Sequence, residues 1–525
     1  MRRRAVVVMA VALILIMAQG MMAQVDTAWT RAFPGGIGNT VCVDDVGNVY
    51  VGGYGQIPSS GQPGSIITAY DSSGQTLWTR YAEQLERVFS FSHTMEINRF
   101  GDLYLSESLD LGGLWNFCTL KYLTNGDSIW MRTYHNDYDC QVKTLTTDAQ
   151  GNVYVVGRGN GWITVKYDRD GNEIWARTYT PQPGYSTADP YDILADDSGN
   201  VIIGGTTRTV AWPADGITVV KYDSLGNLLW DTRCDSVSFN VYVYEEAQMA
   251  VDHAGNIYVT GRKVPGYNDI SRLDLIKFLP NGDTAWTRAY GAPGQRIYAY
   301  GYLTAVDSLG FIYAVGYAVS EFYTIKFTPD GDTCWSRSYN GAGDDADIPC
   351  DVVVGASGAV YVGGRSSGFV SESPYCVVKY TSDGDLAWVA RCQRVDSVLN
   401  EMLDITLDRW ENVYTTGAIT AKFVQTSTST DDGNPSLPEN DLLLAAYPNP
   451  FNARTTIQYE LTGPSGVNLT ILDLLGNKVE MLVDEHQEAG RHQVIWNADG
   501  VSSGIYFYRL KAGRYSSTKR ILLIK

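Results

Sequence analysis

The sequence predicts an all-β protein: a closed β-propeller of eight four-stranded blades, followed by a small C-terminal Ig-like β-sandwich. Three observations predict the propeller. A strand of the type GNVYVVG recurs eight times, its central apolar residue falling at Val49, Leu103, Val153, Val201, Ile257, Ile312, Val360 and Val413. The copies stand about 52 residues apart on average, which suits a four-stranded blade and exceeds one rung of a solenoid. Each copy is followed by a tryptophan-bearing strand (Trp78, Trp130, Trp175, Trp230, Trp286, Trp335, Trp388) except the last, and an eighth tryptophan, Trp29, precedes the first copy.

Each unit reads as four strands. In the third, KTLTTD, NVYVVG, WITVKYD and EIWARTY are separated by DAQGN, a short link and DRDGN, so the first and third joints are tight Gly/Asn hairpins. The third strand repeats as LKY, VKY, VKY, IKF, IKF, VKY and AKF in units two to eight, with TAY in the first. The last unit stops after ITAKF without a fourth strand, whereas DTAWTRAF stands alone near the N-terminus. Pairing the two completes a blade, closes the ring and removes sheet edges that would template aggregation.

Blades of the form D-x-x-G-N-V-Y-V-x-G followed by V-K-Y-D-x-x-G-N-x-x-W resemble the bacterial repeats called SBBP repeats, across residues 24–424. That resemblance implies the fold and leaves the activity open, because propellers carry many unrelated functions.

Residues 1–23 read as a signal peptide: Arg2, Arg3 and Arg4 are the basic region, and Ala5 to Ala18 an apolar run too short to span a bilayer. Ala18-Gln19-Gly20 fits the cleavage spacing, but cutting after Ala23 keeps the DTAWTRAF strand whole and is the expected site. No later segment has the length and apolarity of a membrane helix. The net charge of −18, or −21 without the three leader arginines, repels a nucleic-acid backbone and excludes that class of partner. Eight cysteines (42, 118, 140, 234, 334, 350, 376, 392) permit disulfides in an oxidising compartment, with buried thiols as the alternative; none forms CxxC, so zinc is not expected.

Repetition also decides how the recurrent residues are read. A tryptophan in every blade is a packing wedge between sheets, and the lysine of each KY or KF pair snorkels or meets a neighbouring carboxylate. The DGN and DGD turns lack a full calcium loop and read as hairpin turns, which leaves no cofactor expected and calcium as the one ion these oxygens would suit.

Function is expected where the blades differ. The first and third joints of each unit are short and uniform, while the second joint and the blade-to-blade connections vary, and in an up-and-down blade these sets emerge on opposite faces. The variable set carries LDLGGLWNF with Trp115 and Phe117, TRTVAWPADG with Trp212, RKVPGYNDIS with Tyr267 and Asp269, and NGAGDDADIP with Asp344, Asp345 and Asp347. Aromatics beside carboxylates suit a surface glycan or a protein ligand, and the aspartate cluster a metal ion. No GxSxG, HExxH or P-loop is present, and His93, His135 and His253 lie in different units, so a binding, adhesion or scaffold role is expected over catalysis. The enzyme alternatives are a quinoprotein dehydrogenase, whose adjacent cysteine pair is missing here, and a polysaccharide-cleaving enzyme using scattered carboxylates.

After Phe423 the composition changes: residues 425–440 read as a polar linker, and residues 441–525 as a second β-domain of short alternating strands. Its Tyr447-Pro448-Asn449-Pro450-Phe451 opening, Leu474-Leu475-Gly476 centre, Ser503-Gly504-Ile505-Tyr506 strand and basic tail from Lys519 to Lys525 resemble the C-terminal sorting domain of type IX secretion cargo. The resemblance implies the type IX secretion machinery as a partner and passage through the periplasm to the outer-membrane surface or the medium.

Overall fold

The computed structural model describes residues 24–81, 94–182, 185–196, 198–209, 215–234, 248–263, 272–290, 303–318, 321–341, 347–366, 375–392, 402–426, 444–447, 451–461, 464–473, 478–488, 490–512 and 515–523. Among them every regular element is a β-strand, and no helix is long and apolar enough to cross a membrane. The signal-peptide reading lies outside the described residues. The chain divides into two units, Met1–Thr428 and Ser429–Lys525.

The first unit contains eight four-stranded antiparallel sheets, seven of them made of four strands consecutive in sequence, an arrangement consistent with an eight-bladed propeller. Sheet 3 is representative, with strands Gln141–Thr147, Val153–Arg158, Trp162–Tyr167 and Glu173–Tyr179. Its second and third strands are buried almost throughout, on both faces, because a neighbouring sheet covers each side; only the fourth alternates with solvent. The first strands of successive sheets touch one another from sheet 1 through sheet 8, and sheet 8 touches sheet 1. In sheet 8 the strands Met402–Leu407, Val413–Gly417 and Ile419–Thr426 are joined by Gln24–Ala32, which pairs antiparallel with the last of them and sets Trp29 opposite Lys422. The strand Ile419–Thr426 thus runs two residues past 424, into the stretch expected as linker.

Most of the uniform joints are Asx turns. Asp148 Oδ1 accepts the N–H groups of Gln150 and Asn152 at 2.9 Å, and Gly151 closes the turn at φ 86°, where a side chain would be strained.

The repeated side chains form the seams between sheets. Trp130, on the fourth strand of sheet 2, lies between Tyr104 of its own sheet and Tyr167 of sheet 3, with ring centroids 5.8 and 6.0 Å away. Its Nε1 donates to the Arg169 carbonyl at 3.1 Å, and Lys121 Nζ donates to the same oxygen at 3.0 Å. Lys166 and Trp175 share Ser224 O in the same way, Lys326 and Trp335 share Ser382 O, and Lys422 and Trp29 share Ser72 O. Each ammonium also lies over the tyrosine of its own GNVY-type strand, as Lys166 does at 4.8 Å from the Tyr154 ring. The lysines are therefore interblade rivets, with Lys121 and Lys221 adding ion pairs to Asp102 and Asp196 at 3.0 Å.

The joint between sheets 7 and 8 departs from this pattern because sheet 8 takes its fourth strand from the N-terminus and so has no third hairpin to offer a carbonyl. Gln425 replaces it: its Oε1 accepts from Lys379 Nζ at 2.6 Å, while Trp388 Nε1 is left without a partner. The first turn of sheet 7 also begins with Gly355 where other sheets have Asp or Asn, and sheet 8 has Glu411 at its turn glycine position, at φ 60°. The Glu411 carboxylate reaches into the gap and accepts from Ser357 N at 2.6 Å and from Ser357 Oγ and Tyr361 OH at 2.8 Å. A Cβ on Gly355 would stand 2.5 Å from that carboxylate. The two positions are thus coupled. Glu411→Gly is expected to cost about 1–3 kcal/mol by leaving the Tyr361 O–H without its acceptor, Gly355→Asp to clash, and the double variant to recover more than about 1 kcal/mol of the summed loss. Urea midpoints of the four proteins measure this; additive losses would exclude the coupling.

The second unit holds a three-stranded sheet (Leu444–Tyr447, Arg454–Leu461, Gly490–Asn497) and a four-stranded one (Ser465–Leu472, Lys478–Gln487, Gly504–Ala512, Tyr515–Leu523). One core joins them, built from Phe451, Ile457, Leu469, Ile471, Trp496, Tyr508, Leu510 and Ile521.

Candidate functional site

The variable joint of sheet 2 carries the best-defined surface site. Between strands Asp102–Asp110 and Trp115–Leu123 the chain turns through Gly112 and Gly113, at φ 76° and 96°, with nothing within 4 Å of a Cβ at either. Asp110 Oδ1 holds this tip by accepting Gly113 N at 2.7 Å. The next connection is tied beside it: Trp115 N donates to Asp139 Oδ1 at 3.0 Å and Cys140 N to Trp115 O at 2.8 Å. His135 Nδ1 lies 3.1 Å from Asn116 Oδ1. The outcome is a surface bearing Leu111, Leu114 and Tyr138, exposed by 43, 42 and 55 %, around a half-buried Trp115. Burial, then the Asp139 charge, pushes the Cys140 thiol up to about 11, so it stays protonated and unreactive at neutral pH.

The other expected site residues separate. Phe117 sits one pleat deeper than Trp115 and is 1 % exposed, packed on Tyr134 and in the core shared with sheet 3; it offers no face to a ligand and is withdrawn from the candidate surface. Asp347 is also withdrawn: it is fully buried, and its Oδ2 accepts Gly341 N at 2.6 Å, so it does not join a surface aspartate cluster. Burial raises its carboxyl above the usual range. Trp212, Tyr267, Asp269, Asp344 and Asp345 lie outside the described residues, and among the described ones no three His, Cys, Asp or Glu side chains are placed to hold a metal ion. Cys42, Cys118, Cys140, Cys334, Cys376 and Cys392 carry free thiols.

On the opposite, uniform face a cleft of about 400 Å³ opens between the first turns of sheets 1 and 2, lined by Asp44, Asp45, Val46, Asn98, Arg99, Phe100 and Thr124. Phe100 is gripped by two guanidiniums, Arg99 at 5.0 Å and Arg169 at 4.5 Å, and Arg169 is itself paired with Asp102. Trp410, in the corresponding turn of sheet 8, carries Arg409 at 4.2 Å. Sequence reasoning passed over these residues. Their signal was an apolar residue at the turn tip, Val46, Phe100 or Trp410, where sheets 3, 4 and 5 have Gln150, Ser198 and Ala254.

In the second unit, Tyr447 pairs with Thr456, and Phe451 is 3 % exposed with its ring 5.1 Å from Trp496. Tyr506 meets Trp496 edge-on at 5.6 Å and donates its hydroxyl to Ser502 O at 2.8 Å, and Gly504 pairs with Leu523. Pro448, Asn449, Pro450 and the Leu474-Leu475-Gly476 stretch lie outside the described residues. The motif residues that are described therefore brace one core rather than line a pocket.

No curated protein matches the chain. Similar solved structures include Sqt1 from Chaetomium thermophilum (8 % identity, 78 % of this chain and 100 % of that one, TM-score 0.49) and the WD40 β-propeller domain of Doa1 (8 %, 77 % and 98 %, TM-score 0.40). A Bacteroides caccae protein of unknown function is similar at 13 % identity over 55 % of this chain and 94 % of that one, with TM-score 0.31. Residues 445–525 match the family described as secretion system C-terminal sorting domain. The C-terminal unit is accordingly a type IX sorting domain, and the protein is exported to the cell surface or secreted.

Proposed function

We propose that the exported chain is a binding module: a closed eight-bladed propeller of the SBBP type that presents ligand-binding loops on its variable face, followed by an Ig-like sorting domain that delivers it. The observation that carries this is the Trp115 surface, where aromatic and aliphatic side chains stand exposed beside Asp110 and Asp139 on backbone held by hydrogen bonds. A fixed aromatic platform with flanking carboxylates suits a surface glycan or an extended peptide, since rings stack on apolar faces while the acids accept hydroxyl or amide protons. Trp212, Tyr267 and Asp269 belong to the same joint in sheets 4 and 5 and extend the proposed surface.

Arrays of glycans and peptides probed with the mature protein test this reading. Trp115→Ala combined with Tyr138→Ala is expected to weaken the strongest array ligand by roughly 30-fold or more, as loss of a hot-spot aromatic does, while Phe100→Ala on the opposite face leaves it unchanged. Equal binding by both variants, or no ligand on either array, counts against the variable-face reading.

A further inference from the structure

The innermost strands of sheets 7 and 8, Ile348–Val354 and Met402–Leu407, both slip register just before an aspartate, between Pro349 and Asp351 and between Met402 and Asp404. A register slip leaves backbone N–H groups without ladder partners, and carboxylates collect them here. Asp351 Oδ1 accepts Val352 N at 2.7 Å and Gln248 Nε2, reaching across from sheet 5, at 2.6 Å. Asp404 Oδ2 accepts Val41 N of sheet 1 at 2.7 Å. Both acids then converge on one amide, Ile405 N, at 3.2 Å from Asp351 Oδ2 and 2.8 Å from Asp404 Oδ1, which brings the two carboxyl groups face to face. A hydrogen bond between carboxyls needs a proton on one of them.

We propose that Asp351 and Asp404 share one proton in the native ring and form a pH-sensitive latch at the seam between sheets 7 and 8, next to the blade that the N-terminal strand completes. Protonated, the pair is a neutral bridge between neighbouring inner strands; fully ionised, it places two like charges against each other on the same amide. No lysine or arginine among the described residues forms an ion pair with either. The groups facing the pair are Thr40 and the Cys42 thiol from sheet 1 and Gln248 from sheet 5, and Glu96 of sheet 2 faces the same thiol. Burial raises both aspartates, Asp404 well above the carboxylate range because the Asp351 charge adds to it. Glu96, held by Thr147 at its Oε1, is pushed up to about 7 by burial and adds a third raised acid on an inner strand.

The sign follows from the unfolded reference near pH 3.9. A carboxyl raised on folding stabilises the native state fully below that value, and the contribution is lost as pH rises through the folded pKa. The ring is tightest in mild acid and loosens as the pair gives up its proton. For a single extra proton held by a domain of this size, the expected fall in melting temperature is roughly 1–2 °C per pH unit within that window.

Melting of the mature full-length protein from pH 5 to 9 provides the test, with Asp404→Asn, Asp351→Asn and Glu96→Gln beside the wild type. Flattening of the slope by either aspartate substitution, with Glu96→Gln removing only a separate step near neutrality, supports the latch. A slope unchanged in Asp404→Asn and Asp351→Asn, or one abolished by Glu96→Gln alone, overturns it. If both Asn variants fail to fold, calorimetric unfolding of the wild type at pH 6 in two buffers of different ionisation enthalpy decides: release of protons beyond the share of Glu96 supports the pair, and none overturns it.

Discussion

Removal of Gln24–Ala32 is expected to abolish cooperative unfolding of the first unit and to make the protein aggregate, although none of the other 31 strands of the eight sheets is touched. The strand pairs with Ile419–Thr426 from Gln24 opposite Thr426 to Ala32 opposite Ile419. Without it, the strand carrying buried Ile419, Ala421 and Phe423 becomes a long apolar edge, which is a template for intermolecular pairing. Trp29 alone carries a large share. Its ring is 7 % exposed, 5.8 Å from Tyr70 and 6.3 Å from Tyr414, and its Nε1 donates to Ser72 O at 3.2 Å, so it packs sheet 8 onto sheet 1. Trp29→Ala should therefore cost about 3–5 kcal/mol. Urea unfolding and light scattering report both effects. A deletion variant with the wild-type midpoint and no added scattering would show that the first unit does not depend on its N-terminal strand.

Gly171→Ala is expected to be far more damaging than the same change at Gly101. Both glycines close Asx turns with positive φ, 82° and 76°, so each substitution carries left-handed strain of about 1–2 kcal/mol. They differ in what lies beyond. At Gly171 a Cβ would stand 2.8 Å from the Trp130 ring, which cannot retreat because Tyr104 and Tyr167 flank it and the Arg169 carbonyl holds its Nε1. At Gly101 the nearest atom is Thr124 Cγ2 at 3.7 Å, an ordinary contact. Overpacking adds about 1–3 kcal/mol at the first site only. Gly126, Gly226, Gly282 and Gly384 meet their tryptophans equally closely, so any of them serves as a replicate. Equal losses at Gly101 and Gly171 would mean that strain alone, not the tryptophan seat, keeps these residues glycine.

Two of the expected ligand-facing residues, Phe117 and Asp347, turned inward for a common reason. Each sits in a stretch whose neighbours are loop-like in composition, yet each finds an inward partner: the adjacent sheet supplies a wall, Leu145 and Val155, for Phe117, and the near end of the same connection supplies a backbone donor, Gly341 N, for Asp347. Trp115, two residues from Phe117, stays at the rim because the strand only begins there. Neither distinction is written in residue type.

The sequence by itself determined the number of repeats, the four strands in each, the hairpin turns, the displaced N-terminal strand and the sorting domain at the C-terminus. These rest on short-range rules: a two-residue pleat, glycine at positive φ, and an aspartate that caps its own turn within four residues. Only the tertiary structure decided where polar groups end up: that at four seams a lysine and a tryptophan share one carbonyl of the next sheet, that Glu411 stands in for the carboxylate missing at Gly355, and that Asp351 and Asp404 meet between the first strands of sheets 7 and 8. The partners in those contacts lie about one repeat apart or more along the chain, and they meet because the stacking of successive sheets brings equivalent strands side by side. Burial then sets their protonation and their energy, and burial is a property of the neighbour rather than of the residue.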